Sequence, residues 1–463
     1  MKEISIVGLG YVGLTFAVSA ASRGFRVIGV EVDERKRRSI SEGVPPIYEE
    51  GLEPMLREAI SEGMLRVTES YGEAVEGSGM TFICVGTPSR EDGSVDLSQV
   101  VQASSRIGEA LRDKDGYHLV VVRSTIPPGT TIKIVKKILE ERSGKRVGEE
   151  LGLCFNPEFL REGRAMEDTL NPDRLIVGAC DEKSGKTLLE FYRRFYRDKM
   201  PKTLLTNPVN AELIKYANNA FLAMKISYAN MVSRICEKLP EADVEVVMDG
   251  IGMDRRIERA FLGAGLGWGG SCFPKDTIGF LKFAENLGVD LKLVRASIEI
   301  NEEQLEHAID LADHLIDGLR GKVVSVLGLA FKPGTDDVRG SRAIKLVEKL
   351  LERGASVKVH DPRAMRNARR ILGDDVEYAG SVEECIRGSD LCILATEWPE
   401  YRKIRAGDLS KLMRNPAILD CRRIYDPREF RDVRFAAIGL GPDPWTTEMK
   451  RHERRKSKDL VEM

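Results

Sequence analysis

The sequence predicts an α/β protein in three parts, and three observations carry that reading. Residues 3–7, Glu-Ile-Ser-Ile-Val, form a buried strand pattern that runs into Gly8-Leu-Gly10-Tyr-Val-Gly13 and then a helical stretch to Ala21. From Asn207 to about Pro240, apolar residues recur at 213, 214, 217, 221 and 224, a period near that of one long helix. Strand patterns then resume at Val323–Leu327, Val357–His360, Leu391–Ala395 and Ala417–Leu419. The order predicts an N-terminal Rossmann-type domain over 1–200, a central helical domain with a long spine helix over 201–315, a second Rossmann-like α/β domain over 316–445, and a polar tail over 446–463.

In the first part each glycine has a job. Gly8 makes the tight turn after the strand, Gly10 lets backbone approach a pyrophosphate, and Gly13 lets the helix pack on the strand. The helix start supplies free N–H groups and positive potential. A second strand, Arg26–Val30, ends at Glu31, 18 residues beyond Gly13, where a carboxylate accepts from a ribose 2′-hydroxyl and repels a 2′-phosphate. That selects NAD, with Lys36 as a neighbour on the adenosine side or a solvated helix charge. Strands Met80–Val85 and Leu119–Arg123 lead into Thr87 and Thr125, and ligands of open α/β sheets lie at such strand ends, although hydroxyls also cap turns there. Strand Leu151–Phe155 runs into Asn156-Pro-Glu158-Phe-Leu-Arg-Glu162-Gly163. Spacing alone reads Glu158 and Glu162 as one exposed face of a helix.

On the long helix, Lys215 and Asn219 stand four residues apart and share a face. Lys215 lies beside the apolar stripe, where it either snorkels to solvent or enters a cleft. Shorter helices fill 240–310 around Gly267-Trp-Gly269-Gly270-Ser-Cys272-Phe-Pro-Lys275-Asp276. Glycines here allow positive φ or close approach to a ligand, Lys275 favours the thiolate of Cys272, and Asp276 adds a carboxylate. The bland alternative is a flexible loop around a packed cysteine. Arg255 and Arg256 precede this loop and suit phosphate. The last α/β part lacks a glycine fingerprint, which points to a ligand other than the dinucleotide. From Pro442 the chain is polar and reads as poorly ordered.

Composition excludes several classes. The 463 residues carry 71 Lys and Arg against 73 Asp and Glu, a net charge of −2, without the basic excess of nucleic-acid or membrane-surface binders. No apolar run reaches spanning length, and the start shows no signal-peptide pattern. The eight cysteines have no C-x-x-C spacing, so neither a zinc site nor a disulfide framework is indicated and no metal is expected. A reduced, cytoplasmic enzyme is the expectation. Only three glutamines occur, a weak sign of a thermophilic source.

Taken together, Gly-Leu-Gly-Tyr-Val-Gly-Leu at 8–14, Pro-Ile-Tyr-Glu at 46–49, Val-Gly-Thr-Pro at 85–88, Ser-Thr-Ile-Pro at 124–127, the 156–163 segment, the Lys215/Asn219 helix, the Cys272 loop, Phe331-Lys332 with Arg339, and Thr396-Glu-Trp-Pro399 resemble the UDP-glucose/GDP-mannose dehydrogenase family over about residues 2–440. The resemblance implies that Cys272 attacks an aldehyde made from the C6 alcohol of a nucleotide sugar. The thiohemiacetal is then oxidised to a thioester and hydrolysed to a uronic acid, with two NAD consumed. It implies that Lys215 and Asn219 hold the oxyanion, that Asp276 and Thr125 position water, and that Asp276 or Glu158 is the base. Cofactor contacts fall to Gly8, Gly10, Tyr11, Val12, Gly13, Glu31, Lys36, Thr87, Thr125, Glu162, Lys275 and Arg339. Substrate contacts fall to Glu158, Phe159, Leu160, Lys215, Asn219, Phe261, Leu262, Gly269 and Lys332, with Arg256 reaching the neighbouring subunit of a homodimer. The chain departs from the family pattern at Cys421 and Arg423, where glycine and asparagine are usual, at Met231 in place of glutamate, and at Glu31 in place of aspartate. Ser271-Cys272-Phe273 matches the UDP-glucose branch better than the GDP-mannose or N-acetylhexosamine branches.

Overall fold

The structure, a computed structural model, describes residues 3–442; the polar tail lies outside them. Fourteen strands occur among the described residues, in two sheets. The first contains β1 (Glu3–Val7), β2 (Arg26–Val30), β3 (Leu65–Thr68), β4 (Met80–Ile83), β5 (His118–Val122), β6 (Leu151–Phe155), β7 (Arg174–Ala179) and β8 (Lys202–Thr206). Their order is β3-β2-β1-β4-β5-β6-β7-β8, parallel except where β7 runs against β6. The second contains β9 (Val323–Leu327), β10 (Ser356–His360), β11 (Glu377–Tyr378), β12 (Leu391–Leu394), β13 (Ala417–Asp420) and β14 (Arg434–Ala437), all parallel, in the order β11-β10-β9-β12-β13-β14. The central strands are buried on both faces and read as unbroken apolar runs, as parallel sheets require. Strands β4 and β12 end one or two residues earlier than their apolar runs, although Cys84 and Ala395 still donate their N–H groups to the Val7 and Leu327 carbonyls.

The described residues fall into two compact units, 3–219 with 278–289, and 220–277 with 290–442. Two helices belong to both. The spine helix Pro208–Cys236 has 29 residues, and a second helix, Phe273–Glu285, begins beside Cys272. The 240–310 region is not uniformly made of short helices: Lys292–Leu315 is one 24-residue helix.

The two sheets repeat one local plan. Gly8 (φ 90°) and Gly328 (φ 94°) both turn left-handed after the first strand of their sheet. Each donates its N–H to the last carbonyl of the neighbouring strand, Val30 or His360, at 2.8 Å. The next amide meets an acid just beyond that strand: Leu9 N–H donates to Glu31 (3.2 Å) and Leu329 N–H to Asp361 (2.7 Å). A Cβ on Gly8 would lie 2.9 Å from the Cys84 carbonyl oxygen, and one on Gly328 2.4 Å from Thr396 Cβ. The copies then diverge. Glu31 accepts one further amide, from Asp33 (3.0 Å). Asp361 also accepts from the amides of Ala330, Arg363 and Ala364 and from the Trp398 indole, so both its oxygens are committed.

Candidate active site

In the first unit the glycine turn is open where a ligand needs it. A Cβ built on Gly13 would lie 1.8 Å from the Gly8 carbonyl oxygen, so this glycine is required for packing, whereas a Cβ on Gly10 meets nothing within 4 Å. Helix Tyr11–Ser22 begins there with no side chain capping its N-terminus, leaving amides for an anion. Tyr11 reaches the Tyr48 carbonyl (3.2 Å), Val12 is half-buried, Thr87 is buried, Thr125 is half-buried and Lys36 is exposed. These residues fit a dinucleotide.

The acidic segment departs from the helical expectation. Residues 156–163 are not helical, and Glu158 and Glu162 are each only 7% exposed. Glu158 belongs to a built pair. Lys215, 4% exposed, donates its Nζ to the Glu158 carboxylate (3.0 Å) and to its own backbone carbonyl (2.7 Å), while Leu160 N–H donates to the other carboxylate oxygen (2.8 Å). Burial alone would raise the Glu158 pKa, but the charge and hydrogen bond of Lys215, with Arg123 behind them, hold it below the usual carboxylate range. The Lys215 ammonium also lies 5.3 Å from the Phe159 ring centroid. Asn219 accepts from Asn218 (3.0 Å) one turn along the helix.

Two carboxylates that spacing does not single out hold these segments. Glu49, the last residue of Pro-Ile-Tyr-Glu, accepts from the amides of Gly163 (2.7 Å) and Ala165 (2.6 Å). Glu212, one turn before Lys215, accepts from the amides of Gly129 and Thr131 and from the Thr131 hydroxyl, so it fixes the loop after Thr125. Both are at most 5% exposed. Each looks like a surface charge in sequence. The available signal is an acid one helical turn from a buried lysine, or inside a short Pro-aromatic turn.

In the second unit Cys272 is exposed and stands at the head of helix Phe273–Glu285, its carbonyl accepting from Asp276 N–H (2.8 Å). A helix N-terminus favours negative charge on a thiol placed there. The Ser271 hydroxyl is 3.6 Å from its sulfur. Lys275 donates to Asp276 at 2.5 Å, so its charge is shared with the neighbouring carboxylate, which is 1% exposed. The other seven cysteines differ. All have thiols pushed up by burial, to about 12 for Cys84, Cys180 and Cys392.

The glycines before Cys272 serve packing. A Cβ on Gly267 (φ 97°) would lie 2.3 Å from Asn301 Oδ1, and one on Gly269 2.2 Å from the Gly340 carbonyl oxygen. Asn301 clamps Trp268 through its N–H (2.7 Å) and carbonyl (3.0 Å). Phe261 has a positive φ of 64° and faces the Phe273 ring at 6.2 Å. The Leu262 side chain sits in the core at 2% exposure, which leaves only its backbone for a ligand. Arg256 is exposed and folded onto Asp254 (2.5 Å). Arg339 forks onto Asp337, and Lys332 lies 5.7 Å from the Phe331 ring. Arg423, in left-handed conformation (φ 55°), grips both oxygens of Asp243 at 2.6 Å, so this departure from the family pattern ties a loop down.

Two Rossmann-like sheets, the first with an open glycine turn, define a dinucleotide-dependent oxidoreductase. Matches to known proteins agree. The UDP-glucose/GDP-mannose dehydrogenase family is matched by its NAD binding domain over residues 2–196, its central domain over 209–303 and its UDP binding domain over 325–427. A UDP-glucose 6-dehydrogenase of Haloferax volcanii is 44% identical over 431 residues, 93% of this chain and 99% of that protein. A UDP-glucose 6-dehydrogenase of Bacillus subtilis is 40% identical over 441 residues, 95% and 93% of the two chains. The structure of a UDP-glucose dehydrogenase from Pyrobaculum islandicum aligns with a TM-score of 0.87 at 42% identity, covering 95% of this chain and 98% of its own. The chain belongs to the UDP-glucose/GDP-mannose dehydrogenase family. Its cofactor is NAD.

Proposed function

We propose that the protein oxidises the C6 alcohol of UDP-glucose to the carboxylate of UDP-glucuronate. The observation that carries the reading is Cys272, an exposed thiol at a helix head beside the Lys275–Asp276 pair. NAD, when bound, accepts the hydride of each of the two oxidations. The Cys272 thiolate adds to the C6 aldehyde, forming a C–S bond and placing the electron pair on oxygen. Lys215 and Asn219 hold that oxyanion. Loss of hydride leaves a thioester. Water, positioned by Thr125 and Asp276, attacks it and gives its proton to Glu158 or Asp276. The Cys272 sulfur leaves as thiolate. The second α/β domain takes the UDP moiety through Lys332, with the 263–270 loop of the central part lining the sugar nucleotide, a role supported by the fully committed Asp361, which has no oxygen left for a ribose.

The enzyme acts as a homodimer. Phe221, Tyr228 and Ile235 recur every seven residues along the spine helix at 60, 48 and 57% exposure, with Met231 at 42% and Leu239, just past the helix end, at 52%, an apolar stripe that water does not favour. Arg256 serves the partner's substrate. Seven buried or half-buried free cysteines suit the reducing cytoplasm. No helix among the described residues is long and apolar enough to cross a membrane.

The test is the NADH yield per UDP-glucose consumed. Two NADH in wild type, and no turnover in Cys272→Ser, are expected. Two NADH from GDP-mannose or a UDP-N-acetylhexosamine, and none from UDP-glucose, would move the substrate within the family. One NADH, unaffected by the serine change, would remove the covalent step.

A further inference from the structure

Arg123 follows β5 directly and is 8% exposed, yet among the described residues no carboxylate pairs with it. Its Nη1 donates to two neutral oxygens, Asn156 Oδ1 (2.5 Å) and the Tyr192 hydroxyl (3.1 Å), and its guanidinium lies 4.5 Å from the Phe16 ring centroid. Its Nε is buried without a hydrogen bond. Arginine stays charged, and an unpaired buried cation is poor support for a fold, since an apolar side chain of similar size usually serves better. The cation therefore needs another reason. Asn156, fully buried, is bound on every side: its N–H donates to the Val122 carbonyl (2.8 Å), its Nδ2 to the Ile176 carbonyl (2.7 Å), and its Oδ1 accepts from Arg123 and Tyr192. Asn156 is also the first residue of the non-helical segment that delivers Glu158 two positions later.

We propose that Arg123 is a positioning residue for Glu158: hydrogen-bonded to Asn156 and Tyr192, it anchors the start of the Asn156–Glu158 segment, holds the carboxylate aimed and adds its charge to that of Lys215. The inference rests on the reading of Glu158 as the base. The titratable groups that face Arg123 are Tyr192 and Tyr196, Cys84 and Glu158; those that face Glu158 are Lys215, Arg123 and Cys84. The tyrosines and Cys84 remain neutral through the working pH range because burial pushes them up, so the charges that act on Glu158 there are the two cations.

The experiment is the pH dependence of kcat for UDP-glucose oxidation at saturating NAD, in wild type, Arg123→Gln, Arg123→Met, Arg123→Lys and Glu158→Gln. Glutamine can still donate to Asn156 but carries no charge. It should lower kcat about tenfold and move the acid limb up by about one pH unit, with both KM values within about twofold of wild type. Methionine should move the limb equally and lower kcat further. Lysine should leave the limb in place and recover part of the rate. A limb that stays put in both neutral variants while the melting temperature falls would reduce Arg123 to a structural prop and overturn the proposal. Should neither neutral variant fold, a displaced limb in the lysine variant would overturn it instead. A Glu158→Gln enzyme that keeps the wild-type limb and rate would show that the base was misassigned, a failure visible in that arm alone, and the inference would fall with it.

Discussion

Cys272 and the seven other cysteines share a side chain and differ in surroundings, and surroundings decide reactivity. Burial disfavours the thiolate at the seven, while exposure and a helix head favour it at Cys272. Brief treatment of the folded protein with iodoacetamide near pH 7.5 should label Cys272 first, as read by peptide mass spectrometry; equal labelling of Cys180 would contradict the contrast. Glu158 makes a second prediction at this scale. Its folded pKa lies below the unfolded value near 4.5, so the stability it contributes is complete above that value and is lost as pH falls through the folded pKa. Replacing it with glutamine leaves the Lys215 charge without its carboxylate, which should cost about 3 kcal/mol at pH 7. Urea unfolding should show this gap narrowing below pH 4.5, and a gap independent of pH would sink the argument.

At the scale of elements, loops carry the function and buried carboxylates hold the loops. Glu212 fastens the turn after Thr125, and Glu49 fastens the segment after Glu162. Glu212→Ala strands three donors, and an unfulfilled buried donor costs about 1–3 kcal/mol. A clear fall in the urea midpoint is expected, with a loss of kcat larger than any change in KM. Gly267→Ala and Gly269→Ala should each cost about 1–3 kcal/mol from overpacking, and Gly10→Ala should leave stability almost unchanged while raising the KM for NAD. The strands, the spine helix and the glycine turn were legible in the sequence because their signals are periodic or local. The 156–163 segment was not. Two acids four residues apart match a helix face, and only the fold reveals that the Glu49 carboxylate takes the Gly163 and Ala165 amides at the end of the segment. The Cys272 glycines carry a packing demand that the sequence does not show: an added Cβ on Gly267 or Gly269 would meet Asn301 or Gly340, both distant in sequence. Lys215 was ambiguous for the same reason, since its partner lies 57 residues away.

For the whole molecule, the exposed stripe on the spine helix predicts association. Light scattering should give twice the 51.6 kDa chain mass. Ile235→Glu should shift the mass towards a monomer and lower activity, because Arg256 then has no second subunit to serve. A monomeric wild type with full activity would refute the dimer.

The matched turns at Gly8 and Gly328 have a historical consequence. Two sheets that share a left-handed glycine, a strand-end amide bond and an acid beyond the second strand look like descendants of one ancestral unit, copied and joined. At the turn the copies differ by an alanine at 330 where the first has Gly10, a proline at 333 where it has Gly13, and an indole at 398 that donates to the acid. Restoring Ala330→Gly alone should therefore not recreate a second dinucleotide site, because the committed Asp361 would still have to be released by remodelling Trp398 and the 363–364 turn.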